Sequence, residues 1–253
     1  MTALAPIAFV GGMFFGSFAG VVAHRLPRGE SFVGGRSRCD HCGTTIAAYD
    51  NIPVLSWLAL RGRCRHCGAP IPGRYPLTEL GMAAAFALTV LVLGTGDPGE
   101  LVLGLVLCAL LVTVTITDLE RRIIPNALLA AGAVAALGIV ALSDPASLPE
   151  RLIAAAGAGG FLLAVALAYP RGMGMGDVKL AAVLGLFLGR AVAPALLIAV
   201  LVGALAGLAI IAAHGSEARK RAIPFGPYLA LGGFTGLLWG NEILDWYLAT
   251  FAG

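Results

Sequence analysis

The sequence predicts an all-α polytopic membrane protein with about eight transmembrane helices and a small cytoplasmic module inserted between the first and the second. Three observations indicate this class. Of the 253 residues, 58% are hydrophobic and 12% are charged, and the mean hydropathy of +0.89 is too high for a soluble domain of this length. Uncharged runs long enough to cross a bilayer recur along the chain. The 35 glycines include pairs at GxxxG spacing, such as Gly232 and Gly236, which favour close packing of helices in lipid.

The first apolar run, residues 2–23, is followed and not preceded by basic residues, Arg25 and Arg28. A cleavable signal peptide carries its positive charge first, so this order argues against one. It predicts a first transmembrane helix at 1–23 whose end is held in the cytoplasm by positive charge. A polar cytoplasmic module at 24–76 and a transmembrane domain of about seven helices at 77–253 complete the predicted organisation.

The transmembrane domain is predicted from further runs without charge, at 80–96, 101–117, 123–143, 152–170, 191–216 and 222–240. An eighth segment, 178–189, contains Lys179 and would be about 20 Å long, against a hydrocarbon core of about 30 Å. If it spans, only Arg151 and Arg190 of the 17 Lys and Arg residues lie outside, as the positive-inside rule requires. We therefore predict eight spans with both termini outside. Because the formal charge of +3 follows the loops in this way, it indicates no nucleic-acid partner.

A metal site is predicted in the cytoplasmic module, where two CxxC pairs contain Cys39, Cys42, Cys64 and Cys67. Each pair can bind one ion from a tight turn, and two pairs complete a tetrahedral zinc site with no open position for catalysis. Gly43 and Gly68, which directly follow the pairs, suit such turns. The alternatives are redox thiols, disulfides or four unconnected thiols, and a cytoplasmic location counts against disulfides. We predict a structural Zn²⁺ that stabilises a region too small to fold securely alone.

Two acidic residues, Asp118 and Asp177, lie at the ends of apolar segments, where an ionisable side chain is costly. On the predicted topology both fall at the cytoplasmic boundary. Two carboxylates in one apolar, partly wet site can share a proton, activate water and protonate a peptide leaving group. Gly174 and Gly176 would let the backbone beside Asp177 approach an extended substrate. The structural alternative is that Asp177 caps the short helix and that Asp118 pairs with a neighbouring arginine.

Taken together, the motifs resemble the type IV prepilin peptidase family, a group of GxGD membrane aspartyl proteases, over nearly the whole chain. The resemblance rests on Gly16-Ser-Phe, His24-Arg-Leu-Pro, the two CxxC pairs, and the stretches 51–57, 74–79, 118–126, 172–179 and 224–227. It implies cleavage of the basic leader of type IV prepilins or type II secretion pseudopilins at the cytoplasmic face of the bacterial inner membrane, within membrane lipid. It also implies N-methylation of the new N-terminal residue by S-adenosyl-L-methionine.

The same resemblance assigns the catalytic carboxylates to Asp118 and Asp177. Gly174, Gly176 and Lys179 fall in the matching loop as its supporting residues, and the zinc module is associated with family members that methylate. For the methylation half, no glycine-rich nucleotide motif occurs in 24–76.

We place Glu79, at the start of the second helix, as a candidate S-adenosylmethionine residue; the alternative is a carboxylate that complements the helix N-terminus. Two other functions stay open. One is a peptidase without methylation, and the other is a non-enzymatic transporter or assembly scaffold in which the short helix is a broken segment.

Overall fold

The computed structural model describes residues 4–32, 34–170, 172–214 and 224–251. Within these residues the chain forms nine α-helices and no β-strand, which confirms the all-α class. In chain order they are α1 (Leu4–Arg25), α2 (Leu55–Ala59), α3 (Arg74–Leu93), α4 (Pro98–Arg121), α5 (Asn126–Ser143), α6 (Leu148–Ala168), α7 (Met175–Leu188), α8 (Val192–His214) and α9 (Gly226–Phe251).

The chain divides into two compact units, Met1–Thr95 and Gly96–Gly253. In the first unit α1 packs along α3, because two glycines of α1 let the backbones touch. A Cβ on Gly12 would lie 2.6 Å from the Cα of Ala83, and one on Gly16 would lie 2.7 Å from the Cα of Glu79. The residues between these helices form turns and the short α2. The division at 1–23, 24–76 and 77–253 follows predicted topology and stays a prediction.

The second unit packs around α7, which is 14 residues long and mostly buried from Asp177 to its end. Leu180, Ala181 and Leu184 in this helix are completely inaccessible to solvent. α6 packs closely on α7, since a Cβ on Gly185 would lie 2.4 Å from the backbone nitrogen of Ala155. The short helix, which the sequence analysis counts as the eighth span, is therefore the centre of this unit.

The chain reverses direction between α7 and α8, at the single 3-10 turn Gly189–Ala191. Leu184 of α7 and Ala199 of α8 lie against neighbouring glycines of α9. A Cβ on Gly233 would lie 2.8 Å from Leu184, and one on Gly232 would lie 2.9 Å from Ala199. In a continuous helix these two residues would be about 22 Å apart at 1.5 Å per residue. The segments predicted at 178–189 and 191–216 are thus two separate helices.

By length and composition, the described residues contain six stretches that could cross a membrane, which makes the chain a multi-pass membrane protein. One of the six, Met175–Ala213, contains both α7 and α8, although these helices run in opposite directions. α9 is not among the six. The count of eight spans therefore stays a prediction.

Candidate active site

Asp118 lies in the last turn of α4 and is 6% exposed. Its Oδ2 accepts a hydrogen bond of 2.8 Å from the backbone N–H of Gly226, the first residue of α9. Any side chain would crowd this contact, since a Cβ at position 226 would lie 2.7 Å from that oxygen. α4 ends at Arg121, and the next residue, Arg122, has a left-handed backbone (φ 54°) that directs its N–H to the carbonyl of Asp118 at 2.8 Å. The Asp118 carboxylate is thus held by Gly226, a residue 108 positions later in the chain.

Asp177 is the third residue of α7 and is 8% exposed. Its Oδ2 accepts the N–H of Gly174 at 3.1 Å, and its own N–H donates to the carbonyl of Gly174, also at 3.1 Å. These two bonds close a capping turn at the start of the helix. Asp177 therefore does make the capping contact that the structural alternative predicted. The same contact fixes the orientation of the carboxylate.

The connection between α4 and α5 holds the first turn of α7 in place. Ile124, which is 8% exposed, lies against Gly176, where a Cβ would be 3.1 Å from the Cβ of Ile124. The Nζ of Lys179 donates to the Oδ1 of Asn126, the first residue of α5, at 2.9 Å. Gly176 and Lys179, which the sequence suggested as supports for the substrate, thus also attach α7 to the segment that follows Asp118.

The structure places Asp118 in the last turn of α4 and Asp177 in the first turn of α7, and the loop that follows Asp118 contacts this turn through Ile124 and Gly176. Both side chains are buried, and each has one oxygen bound by a backbone N–H. Two carboxylates that share a poorly hydrated site cannot both ionise easily, and a pair of this kind can share one proton. Such a pair can accept a proton from water and return one to a leaving group.

Sequence reasoning missed three residues of this site: Gly226, Ile124 and Asn126. Gly226 was visible only as part of the Pro-Phe-Gly-Pro stretch at 224–227, and no role was predicted for it. A glycine between an aromatic residue and a proline, just before an apolar helix, was the available signal. Ile124 and Asn126 carry no comparable signal, because an isoleucine and an asparagine are ordinary in a loop that starts a helix.

The four cysteines of the first unit form one cluster, in which all the sulfur atoms lie within 4.8 Å of one another. The Sγ atoms of Cys39 and Cys67 are 3.8 Å apart. Two sulfurs bound to one tetrahedral Zn²⁺ at about 2.3 Å would be separated by about 3.8 Å, so the spacing fits this ion. The cluster could hold a metal ion, as the two CxxC pairs predicted.

Both CxxC pairs adopt the same turn. The N–H of Gly43 donates to the carbonyl of Cys39 at 2.8 Å, and the N–H of Gly68 donates to that of Cys64 at 2.9 Å. Gly43 and Gly68 have left-handed backbones, with φ of 67° and 70°. Hydrogen bonds with the hydroxyl and the backbone of Thr44 lower the pKa of the Cys42 thiol to about 6. This favours the thiolate, which is the form that binds metal.

An ion pair connects the second CxxC turn to the rest of the module. Arg65 donates to the two carboxylate oxygens of Asp50 at 2.6 and 2.8 Å. This hydrogen bonding holds the pKa of Asp50 below its usual range. The pair therefore keeps opposite charges together beside the cysteine cluster at neutral pH.

Glu79 is buried in the first unit, with 7% of its surface exposed. It is the sixth residue of α3 and so lies beyond the first helical turn. Its Oε2 accepts the backbone N–H of Val54 at 2.7 Å, and a hydrogen bond to the Ser17 side chain joins it to α1. Val54 has φ 61° and ψ −51°, a strained conformation for a β-branched residue. The carboxylate thus connects α1, the module and α3.

Two family models match the chain. Residues 10–93 match the model described as the Bacterial Peptidase A24 N-terminal domain, and residues 105–211 match the one described as the Type IV leader peptidase family. The first contains the cysteine cluster and Glu79, and the second contains both aspartates.

Several curated relatives are named prepilin leader peptidase/N-methyltransferase. One from Aeromonas hydrophila is 38% identical over 97% of this chain and 94% of its own length. One from Bacillus subtilis (strain 168) is 34% identical over 98% of this chain and 99% of its own length. One from Myxococcus xanthus (strain DK1622) is 41% identical over 83% of this chain and 64% of its own length. No solved structure gives a significant match. With one relative matched over nearly its full length at 38% identity, and a family model that contains both aspartates, this chain belongs to the type IV leader peptidase family.

Proposed function

We propose that this protein hydrolyses the peptide bond that joins the leader to type IV prepilins or type II secretion pseudopilins, with Asp118 and Asp177 as the catalytic pair. The observation that carries the proposal is the convergence of these two buried carboxylates from separate helices. Each is oriented by a backbone N–H. The names of the relatives and the family model support the same substrate class.

The reaction needs one proton between the two carboxylates. The ionised carboxylate takes a proton from a water molecule, whose oxygen attacks the carbonyl carbon of the scissile bond. The protonated carboxyl then gives its proton to the departing nitrogen as the C–N bond breaks. Because the pair titrates as one unit, the roles of acid and base belong to the pair. The N–H groups of Gly174 and Gly226 keep both carboxylates in fixed orientations during this proton exchange.

The residues around the pair would present the leader to it. Gly174 and Gly176 allow a backbone to pass close to Asp177. Lys179 holds the loop that follows Asp118 by its hydrogen bond to Asn126. We place this site at the cytoplasmic face of the bacterial inner membrane, among lipid, because the positive-inside argument puts most basic residues on that side.

We further propose that the same chain N-methylates the new N-terminal residue, with Glu79 serving this half of the reaction. S-adenosyl-L-methionine would supply a methyl group to the free amine, which loses a proton. The sulfur cluster of Cys39, Cys42, Cys64 and Cys67 would hold one Zn²⁺ that stabilises the module. Four thiolates fill the tetrahedral shell, so the ion acts on the fold and not on the substrate.

The test incubates the purified protein in lipid with a membrane-embedded prepilin and S-adenosylmethionine, and reads the product N-terminus by mass spectrometry. We expect a leader-free, singly methylated product from the wild type and no cleavage by Asp118→Asn or Asp177→Asn. Asp144→Asn, which changes an exposed acid of the same unit, is the matched control and should cleave normally.

Three other outcomes would correct the proposal. A cut product with a free amine would reduce it to a peptidase. Ion flux without cleavage would favour the transporter. Cleavage by both aspartate variants would show that Asp118 and Asp177 are not the catalytic pair.

A further inference from the structure

The first unit contains a cavity of about 570 Å³ between α1, the cytoplasmic module and α3. This volume falls in the range of small-molecule sites, about 300–1,000 Å³. Ser17, Val54 and Glu79 form part of its lining, as do Trp57, Tyr75 and two of the clustered cysteines, Cys39 and Cys64. None of these residues takes part in the peptidase pair.

The lining contains four arginines, Arg25, Arg36, Arg38 and Arg65, and four acids, and the acids differ in their surroundings. Asp50 is neutralised by its bidentate contact with Arg65. Glu30 and Asp40 are exposed, so water screens them. Glu79, by contrast, is buried, and the partners described above, the N–H of Val54 and the side chain of Ser17, are both neutral. A carboxylate in this position complements a cation placed in the cavity.

The backbone at Val54 supports a ligand site at this position. A valine held at φ 61° carries a conformational cost, and such costs concentrate at functional sites. Here the strained residue aims its N–H at Glu79 and so fixes the carboxylate in the cavity lining. Aromatic surface is also fixed nearby, because the Nε1 of Trp57 donates to the carbonyl of Ile71 at 3.0 Å. A flat base can stack on such a surface.

We infer that this cavity binds S-adenosylmethionine, with its sulfonium next to Glu79 and its adenine against the aromatic lining. The inference rests on the proposed methylation. It adds the binding site and a reason why the site prefers S-adenosylmethionine to the product, S-adenosylhomocysteine. The carboxylate attracts the positive sulfonium of the first and has no such attraction for the neutral thioether of the second. Product release after methyl transfer then follows from the loss of charge.

The experiment compares two dissociation constants, for S-adenosylmethionine and S-adenosylhomocysteine, on the full-length protein in lipid nanodiscs by equilibrium dialysis of radiolabelled ligands. The wild type should prefer the sulfonium ligand by about tenfold or more, as expected for one partly buried charge interaction. Glu79→Gln keeps an acceptor for Val54 but removes the charge, and should bind both ligands about equally. Glu79→Asp, which restores the charge, should recover part of the preference. Glu100→Gln, an exposed acid of the second unit, is the matched control and should keep it.

If Glu79 has only a structural role, Glu79→Gln should weaken the binding of both ligands by the same factor and leave the ratio of the two dissociation constants unchanged. That result would overturn the inference. A wild type that binds the two ligands equally would overturn it without any variant, so the test does not depend on the variants folding. The proposed function fails separately, if the wild type leaves a pre-cut pilin unmethylated. A wild type that methylates, paired with a Glu79→Gln variant that still prefers the sulfonium, overturns only the site.

Discussion

Substituting Gly226 by alanine tests whether the position of Asp118 depends on its contact with the start of α9. A Cβ at this position would lie 2.7 Å from the Oδ2 and 3.1 Å from the Cβ of Asp118. Ordinary contact begins at 3.4 Å, so the carboxylate must move by about 0.7 Å (3.4 minus 2.7). A displacement of 1 Å at a catalytic group costs about 10²-fold in rate, so we expect Gly226→Ala to lower kcat for leader cleavage by roughly 10- to 10²-fold. Since no substrate contact is removed, KM should change little.

The assay measures initial rates of leader cleavage on a membrane-embedded prepilin, together with thermal unfolding to show that both proteins are folded. Gly160→Ala is the matched control, because Gly160 lies on the exposed side of α6 and a Cβ there meets nothing within 4 Å. It should cleave at the wild-type rate. If folded Gly226→Ala also cleaves within about twofold of the wild type, the tight contact does not position Asp118 and the reasoning is wrong.

Three further predictions concern the Lys179–Asn126 contact, the end of α7 and the cysteine cluster. Lys179→Met and Asn126→Ala each remove one hydrogen bond and should slow cleavage several-fold, and the double variant should be no slower than either; additive losses would contradict a shared contact. Arg151 donates to the carbonyls of Leu186 and Phe187 at the end of α7, so Arg151→Gln should lower the free energy of unfolding by about 1.5–3 kcal/mol; an unchanged unfolding curve would exclude this. Stripping metal with a chelator should reduce methylation more than cleavage, because the cysteine cluster lines the cavity of the first unit; equal loss of both activities would argue against it.

The helices could be predicted from the sequence because their apolar cores leave a simple signal, but their ends could not. The run at 80–96 underestimates α3, which begins at Arg74. The run at 222–240 likewise stops short of α9, which continues to Phe251 through Glu242 and Asp245. Charged residues end an uncharged run but do not end a helix, since their side chains reach polar surroundings while the backbone stays helical.

The candidate residues could be named from the sequence, whereas their partners could not. Asp118 is conspicuous because a carboxylate at the end of an apolar run is costly. Its hydrogen-bond donor, Gly226, is 108 residues away, and no local pattern predicts a pairing over that distance. The same holds for Glu79, whose carboxylate binds the N–H of a strained Val54 in a segment with no periodic signal. Contacts of this kind arise from tertiary packing and appear only in the folded chain.

The helices beside the aspartates continue past the start of α7. α6 and α7 run side by side in opposite directions, and a Cβ on Gly159 of α6 would lie 3.8 Å from the carbonyl oxygen of Val178. α6 ends at Ala168, so it continues for about 13 Å past this level, at 1.5 Å per residue.

α8, on another side of the unit, also continues past the residues that lie near an aspartate. A Cβ on Gly203 would lie 3.1 Å from Phe225, next to the Gly226 that binds Asp118, and α8 continues to His214, about 16 Å further. α6 and α8 therefore both continue past the residues that contact the segments carrying the aspartates. We expect an extended leader to reach the proposed pair between these helix ends. A helix as short as α7, about 21 Å for its 14 residues, is what leaves that space.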